Sequence, residues 1–178
     1  MKKIKRLILS LLTITVLVIS NLSIVLAAEP AAETPLQPGA KLSQEEMLKL
    51  SRENIIYEED IPVMIKSNNG SRDVVPAICH LSVHYDSTNG LAFSTTVTAD
   101  ALIQSINGVY NWNDFGSGIS NSYPFYTSSI IPYGSITNYT VVGYHYASGT
   151  QMRCNTSGTI NCVLGYGTFN TTALVTIP

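Results

Sequence analysis

The groups in this chain that could do covalent or metal chemistry are few. Cys79, Cys154 and Cys162 are the three thiols, and His80, His84 and His145 the three imidazoles. A zinc site needs a tight set of nitrogen and sulfur donors at ~2.0–2.3 Å. His80 and His84 fall on one face of an alternating stretch, about 13 Å apart at the rise of an extended chain. One ion cannot take both, so neither a metal nor any other cofactor is expected. A thiol nucleophile needs an adjacent histidine and an orienting group. His84 precedes Cys154 in the order used by thiol transpeptidases, but no arginine follows Arg153 to complete such a site. The stretch Gly116–Ser120 (GSGIS) has the wrong spacing for a serine elbow, which is Gly-x-Ser-x-Gly between a strand and a helix. Asp86, Asp100 and Asp114 stand among turn-forming residues and are read as turn residues. No catalytic residue is expected.

Cys154 and Cys162 enclose Asn, Thr, Ser and Gly. A hairpin centred on Gly158 would set Thr156 against Ile160, Cys154 against Cys162 and Met152 against Leu164, all on one face. Opposed residues of a non-hydrogen-bonded pair lie ~4.5 Å apart at Cα, within disulfide reach. A bridge closing so short a loop contributes about 2.5 kcal/mol on the chain-entropy account. The expectation is therefore a Cys154–Cys162 disulfide with Cys79 as a buried free thiol. Pairing of Cys79 with either of the others is the competing arrangement.

A third group is aromatic. Tyr110, Trp112, Tyr123, Phe125, Tyr126 and Tyr133 crowd into a short stretch flanked by Asn and Ser. Such residues build a platform for sugar rings, with a large flat area and a polar tip. The same residue types also fill β cores and pair across strands. Both readings stand at this point.

These residues need a scaffold, and composition locates it. MKKIKR followed by an apolar run to Ala27 reads as a secretory signal peptide over residues 1–28. Residues 29–42, rich in Pro, Ala and Glu, read as a flexible spacer. Residues 43–73 then carry one short amphipathic helix and a connecting segment. Ser43 and Glu46 form a capping box, and Leu42 and Met47 are placed as a hydrophobic staple. Ile61, Val63 and Ile65 alternate as a short strand would.

From residue 74 to 178 the chain has no Lys or Glu and is dominated by Ser, Thr, Asn, Gly and Tyr. In Ala77–Tyr85 the odd-numbered residues are mostly apolar, which predicts a half-buried strand. Asn89-Gly90 is a hairpin signal, and further short strands separated by Gly, Asn and Ser follow. The expected fold is all-β, an antiparallel β-sandwich of about seven or eight strands. The Cys79–Cys154 separation resembles immunoglobulin domains in architecture, though Trp112 and Met152 do not stand where that family places its Trp and Tyr.

Without basic clusters no nucleic-acid partner is expected, because that affinity rests on Lys and Arg at phosphates. Membrane contact is expected only through the signal peptide. Low charge removes repulsion between copies, so self-association fits. Together these features point to a secreted, non-enzymatic extracellular module for adhesion, matrix or structural binding, with a glycan or cell-envelope component as partner. The alternatives are a carbohydrate-binding module using the aromatics, and a secreted toxin or bacteriocin with a pro-region.

Overall fold

Period-two alternation, β-branched residues and Asn-Gly or Ser-Gly turns produce eight strands here. They are β1 (Ile55–Ser67), β2 (Val74–Asp86), β3 (Gly90–Ala99), β4 (Ile103–Asp114), β5 (Ser120–Ser128), β6 (Ser135–Val141), β7 (Gln151–Cys162) and β8 (Gly165–Thr176). One short helix, α1 (Gln44–Leu50), precedes them. The computed structural model describes residues 35–68, 74–128 and 134–178. The signal peptide expected over residues 1–28, and Tyr133, lie outside the described residues. No helix among the described residues is long and apolar enough to cross a membrane.

All the strand pairings are antiparallel, in the order β5-β4-β7-β8-β1-β2-β3-β6. The fold is all-β and antiparallel, as expected. Where the sequence reading expected two facing sheets, the strands are hydrogen-bonded into one sheet that curls until it nearly closes. Its edge strands β5 and β6 meet through side chains, with Asn138 Nδ2 donating to Thr127 Oγ1 at 2.8 Å. The β1–β8 junction consists of two residue pairs, Lys66 with Tyr166 and Ser67 with Gly165. Further along, the hydroxyl of Thr171 on β8 donates to the carboxylate of Glu59 on β1 (2.5 Å).

The segment expected to connect helix and β domain is part of the sheet. β1 pairs with β2 at eleven positions, from Ile55 with His84 to Lys66 with Val74, and carries Val63 and Ile65 into the core. In β2, Ala77, Cys79, Leu81 and Val83 face inward as the alternation predicted. Asn89-Gly90 makes the β2–β3 turn, with Gly90 at φ +72°, a conformation that costs glycine little. Helix α1 starts with the predicted capping box. The Ser43 hydroxyl accepts from the Glu46 N–H (3.2 Å), and the Glu46 carboxylate accepts from the Ser43 N–H (2.8 Å). Leu36, Leu42, Met47 and Leu50 lie against Ala92, Tyr139 and Val141 on the outer side of β3 and β6. Most of the stability of so short a helix comes from that packing.

Gly158 is not a turn. Residues 151–162 run as one strand, and Gly158 sits opposite Gly108 on β4 and Phe169 on β8. Gly108 in turn pairs with Phe125 on β5. A Cβ at Gly108 would lie 2.8 Å from the Phe125 ring, and one at Gly158 would lie 2.6 Å from the Phe169 ring. The two phenylalanines lean over a pair of glycines, so the glycines make room for rings inside the sheet.

Candidate functional site

Among the described residues, a histidine–serine grouping lies buried between β2 and β3. His84, 1% exposed, donates from Nδ1 to the Glu53 carbonyl at 2.7 Å. A carbonyl can only accept, so in the neutral ring Nε2 is the acceptor. Ser82 Oγ stands 2.8 Å and Ser94 Oγ 3.2 Å from Nε2, and the two hydroxyls are 2.6 Å apart. Burial pushes the His84 imidazole down to about 4, partly offset by its bond to Glu53. The Tyr139 ring packs edge-on against it at 5.1 Å. Both hydroxyls are buried, and this trio ties the chain after α1 to β2. His80, expected on the same strand face, is partly exposed. It bonds Asp60 through Nδ1 at 2.7 Å and lies 3.7 Å from Glu58. No group of three or more His, Cys, Asp or Glu suited to holding a metal ion is found among the described residues.

The expected Cys154–Cys162 bridge is not formed. Both residues lie on β7, eight positions apart on one extended strand, about 26 Å by the rise of a strand. All three cysteines are free and buried. Burial pushes the thiols of Cys79 and Cys154 up to about 12, and raises that of Cys162. They are protonated at neutral pH and behave as small core hydrophobes.

The aromatic group divides between core and surface. Tyr110, Trp112 and Phe125 are 0%, 3% and 6% exposed. Phe125 stacks on Tyr110 at 4.3 Å and Tyr110 on Phe93 at 4.9 Å, and Trp112 packs tilted by 39° against Phe93 at 5.5 Å. The Tyr110 hydroxyl donates to Asn138 Oδ1 (3.0 Å) and accepts from Thr95 (2.8 Å), and Trp112 Nε1 donates to the Tyr146 hydroxyl (2.8 Å). These three residues cannot form a surface platform. Tyr123 is half-buried and Tyr126 is exposed, so among the described members of the group this pair from β5 reaches solvent.

The outer face of β5, β4, β7 and β8 is of another kind. Five cross-strand rows run over it. Two consecutive rows are Ser122–Asn111–Asn155–Thr172 and Ser120–Asn113–Arg153–Leu174. Of the twenty outward residues in the five rows, fourteen are Ser, Thr or Asn and one, Arg153, is charged. Neighbouring amides hold one another in place. Asn155 Nδ2 lies 2.9 Å from Asn170 Oδ1, Asn161 Nδ2 3.1 Å from Ser105 Oγ, and Asn113 Nδ2 2.8 Å from Ser120 Oγ. A depression of about 240 Å³ lies over the first two rows. Asn111 and Asn121, which line it, have no side-chain partner among the described residues. Arg153 is held over the Phe115 ring at 5.8 Å to its centroid. Sequence reasoning missed this face, although its signal was present. NGVYNWN, NTSGTIN and FNTT carry Asn, Ser or Thr at every second or fourth position.

A second, larger groove of about 420 Å³ lies between β5 and β6, flanked by residues 37–42. Comparison of the chain with family models, with curated proteins and with solved structures gives no match.

Proposed function

We propose that this chain is a non-catalytic binding module that acts outside the cell, and that its ligand is an uncharged, polyhydroxylated polymer. The observation that carries the reading is the polar outer face of β5-β4-β7-β8. It offers amides and hydroxyls at strand spacing, ~4.8 Å across and ~6.7 Å along each strand. Carboxamides donate and accept at once, which suits vicinal hydroxyls on a glycan. A charged ligand would find one counter-charge there, Arg153. Tyr126 and Tyr166, exposed by 68% and 51%, stand at the margins of the face, where rings can stack on the apolar side of a sugar. Export is supported by the cationic run and apolar stretch at the start of the sequence. In this reading the polar half and the helix-covered half act as two facing layers of a sandwich. A matrix or cell-envelope glycan is the natural polymer.

Retention on insoluble polysaccharides (cellulose, chitin and isolated cell-wall sacculi) tests the reading. The parent chain should be retained on at least one. An Asn111→Ala/Asn155→Ala variant should bind roughly tenfold more weakly, the loss of one or two net hydrogen bonds. Its folding should be unchanged by circular dichroism. Absence of retention on all of them rejects the proposal. Trp112→Ala is not a useful probe, because Trp112 is a core residue.

A further inference from the structure

Among the described residues one hydrogen bond crosses the β5–β6 seam, and a groove lies beyond it. Asn138 and Thr127 are bonded across it, and the groove extends back along β5 to Tyr123 and forward along β6 to Val141. β6 presents unpaired backbone on this side. The Val142 N–H donates to the Leu91 carbonyl of β3 at 3.0 Å. By antiparallel alternation the even-numbered residues of β6 turn their peptide groups to β3, and the odd-numbered ones turn theirs away. Thr137 confirms the phase. Its N–H donates to Gln44 Oε1 (3.0 Å), and its carbonyl accepts from Gln44 Nε2 (2.9 Å). The Gln44 carboxamide thus takes the place of a peptide unit from a neighbouring strand. Tyr139 and Val141 repeat the same donor–acceptor pair one and two steps on, without a backbone partner among the described residues.

We propose that this edge is a docking site for an extended peptide carrying an acidic side chain, which pairs its backbone with Tyr139 and Val141 and continues the rung begun by Gln44. A row of N–H and C=O pairs repeating every ~6.7 Å matches the backbone of a strand. Sugars do not carry that repeat. Two open rungs accommodate about five residues of extended chain at ~3.4 Å each. Lys41 is the one charged side chain lining the groove among the described residues, which selects an acidic partner. Tyr123 and Tyr126 on the opposite wall offer surface to alternate side chains. This inference rests on the β6 edge and is independent of the polar face.

Three blocked hexapeptides test it by amide NMR titration against the full chain. They are Thr-Val-Thr-Asp-Thr-Val, the same sequence with Asn for Asp, and the Asp peptide N-methylated at every residue. The Asp peptide should bind, shift and protect the Tyr139 and Val141 amides, and bind about fivefold tighter than the Asn peptide, as one rim ion pair allows. N-methylation should abolish binding. Lys41→Glu, at an exposed position, should reverse the Asp-over-Asn preference. The proposal is overturned if the Asp peptide does not bind at millimolar concentration, or if the N-methylated form binds equally. It is also overturned if a neutral oligosaccharide moves the same two amides.

Discussion

Acid should destabilise this fold through His84, by an amount that can be worked out in advance. The imidazole is buried, donates to the Glu53 carbonyl, and accepts at Nε2 from a serine hydroxyl. Desolvation lowers its pKa to about 4 from the ordinary 6.5. The native state therefore binds fewer protons than the unfolded chain between those values. The neutral ring's stability is fully present above pH 6.5, falls away as the pH drops toward 4, and changes no further below that. A separation of about two and a half pH units corresponds to about 3 kcal/mol. That is a large part of the stability of a domain this size. Urea unfolding followed by the fluorescence of Trp112, the single tryptophan, reads the loss at pH 7 and pH 4. His84→Leu is the control. It leaves Ser82 and Ser94 bonded to each other and orphans the Glu53 carbonyl, costing about 1–3 kcal/mol at pH 7. Its stability should depend less on pH than the parent's by about 3 kcal/mol over this interval. Exposed carboxylates titrate alike in both proteins and cancel in the comparison. Equal pH dependence in parent and variant, or a His84 titration near 6.5 by NMR, would refute the reasoning.

Other consequences follow from the interior. Gly158→Ala should cost about 1–3 kcal/mol in urea unfolding, because its methyl would press on Phe169 and the Asn107 carbonyl. A variant as stable as the parent would mean the two rings do not crowd the glycine pair. The three thiols should resist a thiol reagent until denaturant is added, and non-reduced mass spectrometry should find no linkage. A Cys154–Cys162 bridge would contradict a continuous β7. Asn138→Leu removes the bond to Thr127 and the acceptor shared by Tyr110 and Thr140. It should lower stability by about 2–4 kcal/mol, with amide exchange rising first in β5 and β6.

Local rules made β2 legible. Its alternation, the Asn89-Gly90 turn and the Ser43–Glu46 capping box each depend on residues close in sequence. The aromatic group was half legible: residue type announced a cluster, but burial is set by strands far apart in the chain. Tyr110 is core because Phe93, Phe125 and Asn138 surround it, and no local signal reports that. Gly158 failed for a related reason. A glycine among Asn, Thr and Ser has the composition of a turn, yet here it answers to Phe169 on β8 and Gly108 on β4. β1 is longer than the alternation of Ile61, Val63 and Ile65 suggests, because its outer face carries Glu58 and Asp60, which mask a strand whose inner face holds Val63 and Ile65.

The β1–β8 junction has a mechanical consequence. Its two residue pairs lie at the end of β1 and the start of β8, remote from where the backbone enters β1 and leaves β8. A tensile load applied through those flanks would pry the junction open like a clamshell hinged at Ser67 and Gly165. The Glu59–Thr171 contact would part first, before any long ladder is sheared. A tether built on this domain would yield at low force along that line, while β4, β7 and β8 stayed zipped together.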